Sequence, residues 1–558
     1  MIANLKRSKD STLAFLLIIF IISISDLIYF IINAPHSDAV FRFLTCFSAF
    51  LIPLYVFRNH LKLYSWLLLP IFILIPFSIS AIVFFNLPIN ETLVLSITNT
   101  TKNEATELIR HYVLFFSLLA CLIIIVYVLL VKRVPSKISS KASSQISIWS
   151  FLLFLTLPFF DKNPETVHRG YFTRIKANLY ATFPFSVAYC SSLVYNQYHL
   201  MKTSEKERNN FKFNAEQIPF ASSSAKQIYV LIIGEASRAD HWAINGYNRM
   251  TSPHVIKREN LISFFNTVAG ASFTEFAVPQ IITCATAENF EQHFKQKSIV
   301  SVFKESGFST YWITDQEDEA HIRIHELEAD HIYLERQKPS ENVQMQNTDM
   351  QLVNVLNQVL EEAGNKKFIV LHTWGSHFDY GARYPNSYDV FKPSLKNVFA
   401  RPSDYSKKNI LINSYDNSIL FTDAVIDSVI TSVKNKNAIS AVYYLSDHGE
   451  NLFDDSSHTS LHEEVVPTIY TSHIPFFIWY SDSLKNIFPQ KIDWLIKHAN
   501  NNIGVEDVIH TITDISNIHF PLQDSEKCID RNFFTDSKQK ILGENFKIYY
   551  YDSLQKKK

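Results

Sequence analysis

Five long apolar stretches crowd the first 160 residues of this 558-residue chain, and no other feature restricts its folding as strongly. They cover about 12–33 ("TLAFLLIIFIISISDLIYFIIN"), 40–57, 63–87, 111–131 and 146–160. A helix needs about 20 apolar residues to cross the hydrocarbon core of a bilayer. Four of the stretches approach that length; the fifth, "ISIWSFLLFLTLPFF", is short and would span only in a thin bilayer or with help from its neighbours. A single run of this kind reads as a buried helix or a signal peptide. Five in series, broken by short polar loops, predict an α-helical five-span membrane domain over 1–161. The first run is also too long for a signal peptide and lacks a small-residue cleavage site.

Basic residues set the expected orientation. Lys6, Arg7 and Lys9 precede the first span, Arg58 and Lys62 separate the second from the third, and Lys132, Arg133, Lys137 and Lys141 separate the fourth from the fifth. The loops at 34–39 and 88–109 carry only Lys102. Basic loops stay in the cytoplasm, so the amino terminus is expected inside and everything after about residue 162 outside. Across the whole chain 52 basic side chains face 53 acidic ones, a balance that gives no reason to expect a nucleic-acid partner. Cys46 and Cys121 fall in spans as packing residues. Cys190, Cys284 and Cys528 face an oxidising compartment, where they allow one disulfide and leave an odd thiol. Residues 162–222 turn aromatic and then polar, and read as membrane-surface helices followed by a linker.

From 223 to 558 the texture is different. The runs "QIYVLIIG" (227–234), "STYWIT" (309–314), "FIVLHTWG" (368–375), "AVYYLS" (441–446) and "IPFFIWYS" (474–481) each suit a strand buried on both faces. Helical spacing fills 349–363 and 415–434 between them. This alternation predicts an α/β domain with a largely parallel sheet flanked by helices. Ligands of such sheets gather beyond the carboxyl ends of the strands. Glu235 follows the first run, His377 follows "FIVLHTWGS", and Asp447 and His448 follow "AVYYLS". One acid at a strand end is an ordinary helix cap. Carboxylates and imidazoles at three strand ends, with no cysteine, point to a catalytic Zn²⁺ site, with Mn²⁺ as the rival metal. A hydroxyl near such a cation becomes a nucleophile near neutral pH. "AGASFTEFAVPQIITCATAE" (269–288) offers Ser272, Thr274 and Thr283, and spacing alone does not choose among them.

The stretch "IIGEASRADHWAINGYNRMTSP" resembles the opening motif of the phosphoethanolamine transferases. These are inner-membrane enzymes of the alkaline phosphatase and sulfatase superfamily, with a periplasmic catalytic domain, that decorate lipid A, the lipopolysaccharide core or periplasmic glucans. "HTWGSHFDYGARYP", "YDNSILFTD", "LSDHGENL" and "HIPFFIW" are similar to that family's later motifs, in the same order. The resemblance implies that Glu235, Asp447 and His448 hold one or two zinc ions together with Thr274, the nucleophile, marked by Pro279 five residues on. It implies that His377 assists the substrate or a second metal. A later site histidine corresponds to His462, or to His458, in "DDSSHTSLHEE". Thr100 and Glu104 in the exported loop "LSITNTTKNEATEL" match residues that meet the lipid headgroup, although Ser96 stands where the family often has Asn.

The implied reaction moves phosphoethanolamine from phosphatidylethanolamine, through a covalent threonine intermediate, to lipid A, lipopolysaccharide core or another envelope glycan. Members that modify lipid A tend to carry a lysine-bearing "CKG" segment after the second strand; here "TDQEDEAHIRIHE" stands there, so the acceptor stays open. The Cys/Ser-x-Pro-x-Arg pattern of sulfatase enzymes is absent from the sequence. Two alternatives stand beside this reading: a glycerol-phosphate transferase of the same superfamily, and a non-catalytic membrane sensor that binds a metal or lipid.

Overall fold

The computed structural model describes residues 2–33, 38–85, 88–99, 102–160, 171–219, 225–316, 319–335, 348–396, 398, 400–454, 460–462 and 466–555. The chain divides into two compact units, Met1–Asn196 and Gln197–Lys558. The division falls inside the 162–222 stretch, within the helix Phe185–Thr203.

In the first unit every apolar stretch is helical. Ile2–Asn33, Lys102–Arg133 and Ser140–Thr156 cover the first, fourth and fifth. Each contains, or runs into, a segment long and apolar enough to cross a membrane: Thr12–Tyr29, Leu114–Arg133 and Ser140–Phe159. The third stretch is a pair, Leu61–Leu67 and Leu69–Phe84, that qualifies only as a unit and bends by 42°. Pro70 opens the second member of the pair, where a ring without an N–H breaks the hydrogen-bond ladder. The second stretch forms an apolar helix over Val40–Tyr55, shorter than the span expected there, because Pro53 tightens its end into a 3₁₀ turn. Length and composition therefore mark three spans, or four with the bent pair, among the described residues.

Leu114, Leu118, Leu122, Ile125 and Leu129 form an exposed apolar stripe at helical spacing along Lys102–Arg133, while Tyr127 and Val131 are buried. Such a face suits burial against lipid. Cys121 is exposed beside this stripe rather than packed, and all five cysteines are free. Residues 88–109 are largely helical instead of irregular. Asn90 Oδ1 accepts from the Leu93 N–H at 2.9 Å and starts Glu91–Asn99. Glu104 lies in the first turn of Lys102–Arg133, and Thr100 lies outside the described residues.

The second unit is built on an eight-stranded sheet. In chain order its strands are β1 Gln227–Gly234, β2 Leu261–Val268, β3 Ser309–Thr314, β4 His331–Leu334, β5 Lys366–His372, β6 Ile439–Ser446, β7 His473–Tyr480 and β8 Asn502–Gly504. They lie in the order β8-β2-β7-β6-β1-β5-β3-β4. All neighbours pair in parallel except β7, which runs antiparallel to both β2 and β6. Alternation along β1 loads both faces: Tyr229, Leu231 and Ile233 join one apolar cluster, and Ile228, Val230 and Ile232 the other. The expected helices at 349–363 and 415–434 are Met350–Glu361 and Lys408–Lys434. Because β6, β1 and β5 are adjacent, the segments that leave their carboxyl ends meet at the middle of the sheet.

Candidate active site

Three carbonyl-side loops deliver the ligands. After β1 the chain turns sharply at Glu235 and Ala236, and Ala236 takes the left-handed region at φ +54°. That conformation is uncommon for a residue with a Cβ and marks a position held by its surroundings. It lets the Ala236 N–H donate to Asp447 Oδ1 at 3.1 Å, while its carbonyl accepts from the Tyr415 hydroxyl at 2.7 Å. After β5, Gly375 also has positive φ, at +46°, and a Cβ there would stand 2.8 Å from both the N and the O of Glu235. Glycine is required at this close approach. After β6, the His448 N–H donates to Asp447 Oδ1 at 2.7 Å, so Oδ1 is fully engaged and Oδ2 is left over.

The remaining ligand atoms converge. Glu235, Asp447 and His448 are all buried, and one ligand atom of each lies within 4.8 Å of the others. Glu235 Oε1 and Asp447 Oδ2 are buried without hydrogen-bond partners. His448 Nδ1 is 2.8 Å from the Gly449 carbonyl, to which it donates, and this fixes Nε2 as the nitrogen with the lone pair. Nε2 stands 3.2 Å from Glu235 and 3.4 Å from Asp447. Orphaned buried oxygens are costly unless a cation pairs them. Burial and the Asp447 charge push Glu235 up to about 8. Burial alone would lower His448, but the Asp447 and Glu235 carboxylates push it up to about 10. The donor set fits a divalent metal, whose charge would replace these protons.

Thr274 is the first residue of the helix Thr274–Ile282. Its Oγ1 lies 3.1 Å from Glu235 Oε2 and 3.3 Å from His448 Nε2. The positive end of the helix dipole faces the same point, which favours a phosphoryl group there. The other two hydroxyls are placed differently. Thr283 donates to the Pro279 carbonyl at 2.6 Å at the far end of that helix, and Ser272 Oγ is buried without a partner.

Further histidines ring the cluster. The His462 ring centre is 4.2 Å from that of His448 and 6.3 Å from that of His377. His462 Nδ1 lies 3.2 Å from Glu450 Oε1. Burial, with the Arg383 charge second, drives His377 well below the usual imidazole range. The neutral ring donates Nδ1–H to the Phe378 carbonyl and so presents Nε2 as an acceptor. His458 lies outside the described residues. Two further side chains stand at the cluster, of which Gln316 escaped the sequence reading. Gln316, just past β3, donates Nε2–H to Glu235 Oε2 at 3.3 Å and to the Thr373 carbonyl at 2.8 Å. Glu450 is buried, and burial pushes it up to about 8.

The sulfatase family model matches residues 227–518, more than half of the chain. The chain belongs to the sulfatase family. This sulfatase-family chain is 25% identical over 529 residues to phosphoethanolamine transferase EptC of Escherichia coli, covering 91% of its own length and 89% of that protein. Its fold matches the integral membrane protein lipooligosaccharide phosphoethanolamine transferase A of Neisseria meningitidis with a TM-score of 0.75, at 20% identity, over 93% of this chain and 98% of that one. The zinc complex of the C-terminal periplasmic domain of Escherichia coli EptC matches with a TM-score of 0.52 and 25% identity, over 61% of this chain and 97% of that domain.

Proposed function

We propose that this chain is a multi-pass inner-membrane phosphoethanolamine transferase with a periplasmic catalytic domain. Its donor is phosphatidylethanolamine, and its acceptor is lipid A, lipopolysaccharide core or another envelope glycan. The observation that carries the reading is the position of Thr274 Oγ1 at the amino end of a helix, 3.1 Å from Glu235 Oε2 and 3.3 Å from His448 Nε2, two members of the buried Glu235–Asp447–His448 cluster. The relatives named as phosphoethanolamine transferases, and the zinc in the EptC domain, support the choice of reaction and of metal.

Glu235, Asp447, His448 and Thr274 would hold Zn²⁺, which supplies the positive charge that makes a threonine hydroxyl acidic and neutralises phosphoryl oxygens. Glu235 Oε2 accepts the Thr274 hydrogen bond and aims the oxygen's lone pair into the site. Thr274 Oγ1 attacks the lipid phosphorus in line and the P–O bond to diacylglycerol breaks, the leaving oxygen taking up the proton that Thr274 loses; phosphoethanolamine stays on the threonine until the acceptor oxygen attacks the same phosphorus and frees Thr274. His377, with Nε2 as an acceptor, takes the proton of the incoming acceptor hydroxyl, and His462 beside it contacts the phosphoryl group. Thr100 and Glu104 contact the donor headgroup, where a carboxylate suits the ethanolamine ammonium. The glycerol-phosphate alternative differs in the lipid consumed. Full-length enzyme in vesicles should release diacylglycerol from phosphatidylethanolamine and not from phosphatidylglycerol; the reverse preference would overturn the assignment.

A further inference from the structure

Away from the active site, three imidazoles are packed into one buried pocket. His293 comes from the 3₁₀ turn Phe290–Phe294, and His321 and His325 from the helix Ala320–Glu326. They are 0%, 3% and 0% exposed. His321 and His325 are four residues apart, so they project from the same helix face one turn apart. The His293 ring centre lies 5.4 Å from that of His321 and 6.0 Å from that of His325. A tetrahedral centre with bonds of about 2.0 Å to nitrogen holds its imidazole ring centres about 5 Å apart.

The protonation of each ring follows from its other partner. His293 Nδ1 faces the Phe290 carbonyl at 2.6 Å, and His325 Nδ1 faces Glu328 Oε1 at 2.8 Å. Both partners accept, so Nδ1 carries the proton and Nε2 is a lone pair. His321 is hydrogen-bonded to the Glu275 backbone, and its Nδ1 is left over. Pro279, four residues on, has no N–H to bond the Glu275 carbonyl within the helix. His293 Nε2, His321 Nδ1 and His325 Nε2 are all buried without a hydrogen-bond partner. Glu328 is itself anchored: it accepts from the Ser298 N–H at 2.9 Å and from the Ser298 and Ser301 hydroxyls at 2.8 Å. A carbonyl or carboxylate behind each ring is the usual support of a metal-bound histidine. Burial drives His293 well below its ordinary range and His321 down to about 4, so both rings stand neutral, as ligation requires.

We propose that His293, His321 and His325 form a second, three-histidine site for Zn²⁺ or a similar borderline divalent cation, separate from the Glu235–Asp447–His448 cluster. The trio is more open than that cluster, whose ligand atoms already lie within 4.8 Å of one another. A rival group, Asp514, Cys528 and Asp530, is as tight but already holds a cation: Lys491 Nζ is 2.8 Å from Asp514 and 3.4 Å from Asp530. Among the described residues no side chain hydrogen-bonds the three imidazole lone pairs. A metal on the trio would clamp the helix that begins at Thr274, through the His321–Glu275 hydrogen bond.

The test uses the full-length protein in detergent, stripped with chelator, reloaded with Zn²⁺ alone and analysed for metal per chain. Asp447→Ala, His377→Ala and His462→Ala together silence the active-site ligands. In that background about one zinc should remain, with an X-ray absorption spectrum of three imidazole nitrogens, and His325→Gln or His293→Gln should weaken its binding at least tenfold. Circular dichroism and a thermal melt check that each variant is folded. If the glutamine variants fail to fold, the absorption spectrum of the silenced background decides alone. A silenced background that binds no zinc, or one whose zinc lacks histidine ligands or ignores both glutamine substitutions, overturns the site.

Discussion

The active site depends on individual lone pairs more than on residue types. Asp447 spends Oδ1 on the Ala236 and His448 amides and keeps Oδ2 for the cluster; His448 spends Nδ1 on Gly449 and keeps Nε2. Asp447→Ala or His448→Ala should therefore strip zinc from the site while the fold survives, as elemental analysis of the active-site metal would show. Zinc retained at wild-type level by both variants would remove these residues from the site. Because His448 is pushed up to about 10 in the metal-free site, zinc must displace its proton. Zinc affinity should then fall as pH drops and rise with pH toward 10; a pH-independent binding isotherm would contradict that coupling. The sequence showed these acids and imidazoles, since strand ends bring them together. Spacing alone did not choose Thr274 over Ser272 and Thr283, because the partners that single it out lie 39 and 174 residues away; only the family resemblance, through Pro279, marked it. Gln316 was illegible for a similar reason: an amide after a strand carries no signal until its acceptor, 81 residues distant, is known.

At the level of elements, the site is a property of three neighbouring strand ends. Apolar runs located β1, β3, β5, β6 and β7 well, because strands buried on both faces leave an unbroken hydrophobic signature. Composition carries no record of direction, so the antiparallel course of β7 could not be read. Polar Ser263 and Asn266 hid β2, and β4 and β8 are too short to stand out. Among the apolar helices, Pro53 and Pro70 shortened or bent segments whose hydropathy alone reads as continuous spans. The turn after β5 offers a direct test of how loop geometry supports the ligands. Gly375→Ala should destabilise the domain by about 1–3 kcal/mol in denaturant melts, through the left-handed backbone and the collision with Glu235. It should also lower turnover by displacing that carboxylate. Wild-type stability and activity would mean that the loop yields without cost.

For the whole molecule, a chain that carries both apolar membrane helices and this site suits a substrate that cannot leave the bilayer. Such a site must face the outer side. Reporter fusions after residues 36, 100 and 220 should report export, and those after 60 and 138 should report cytoplasm, given where the basic residues fall. A cytoplasmic report at 220 would put the site in the wrong compartment. The central claim is two-step transfer through Thr274, and mass analysis of the peptide containing "SFTEF" addresses it most directly. Full-length enzyme is incubated with phosphatidylethanolamine vesicles and no acceptor, then digested. The expected result is phosphoethanolamine mass on Thr274, with Thr274→Ala keeping its zinc, carrying no adduct and losing activity by on the order of a thousandfold or more. Full activity in Thr274→Ala, with no adduct on any residue, would contradict the account.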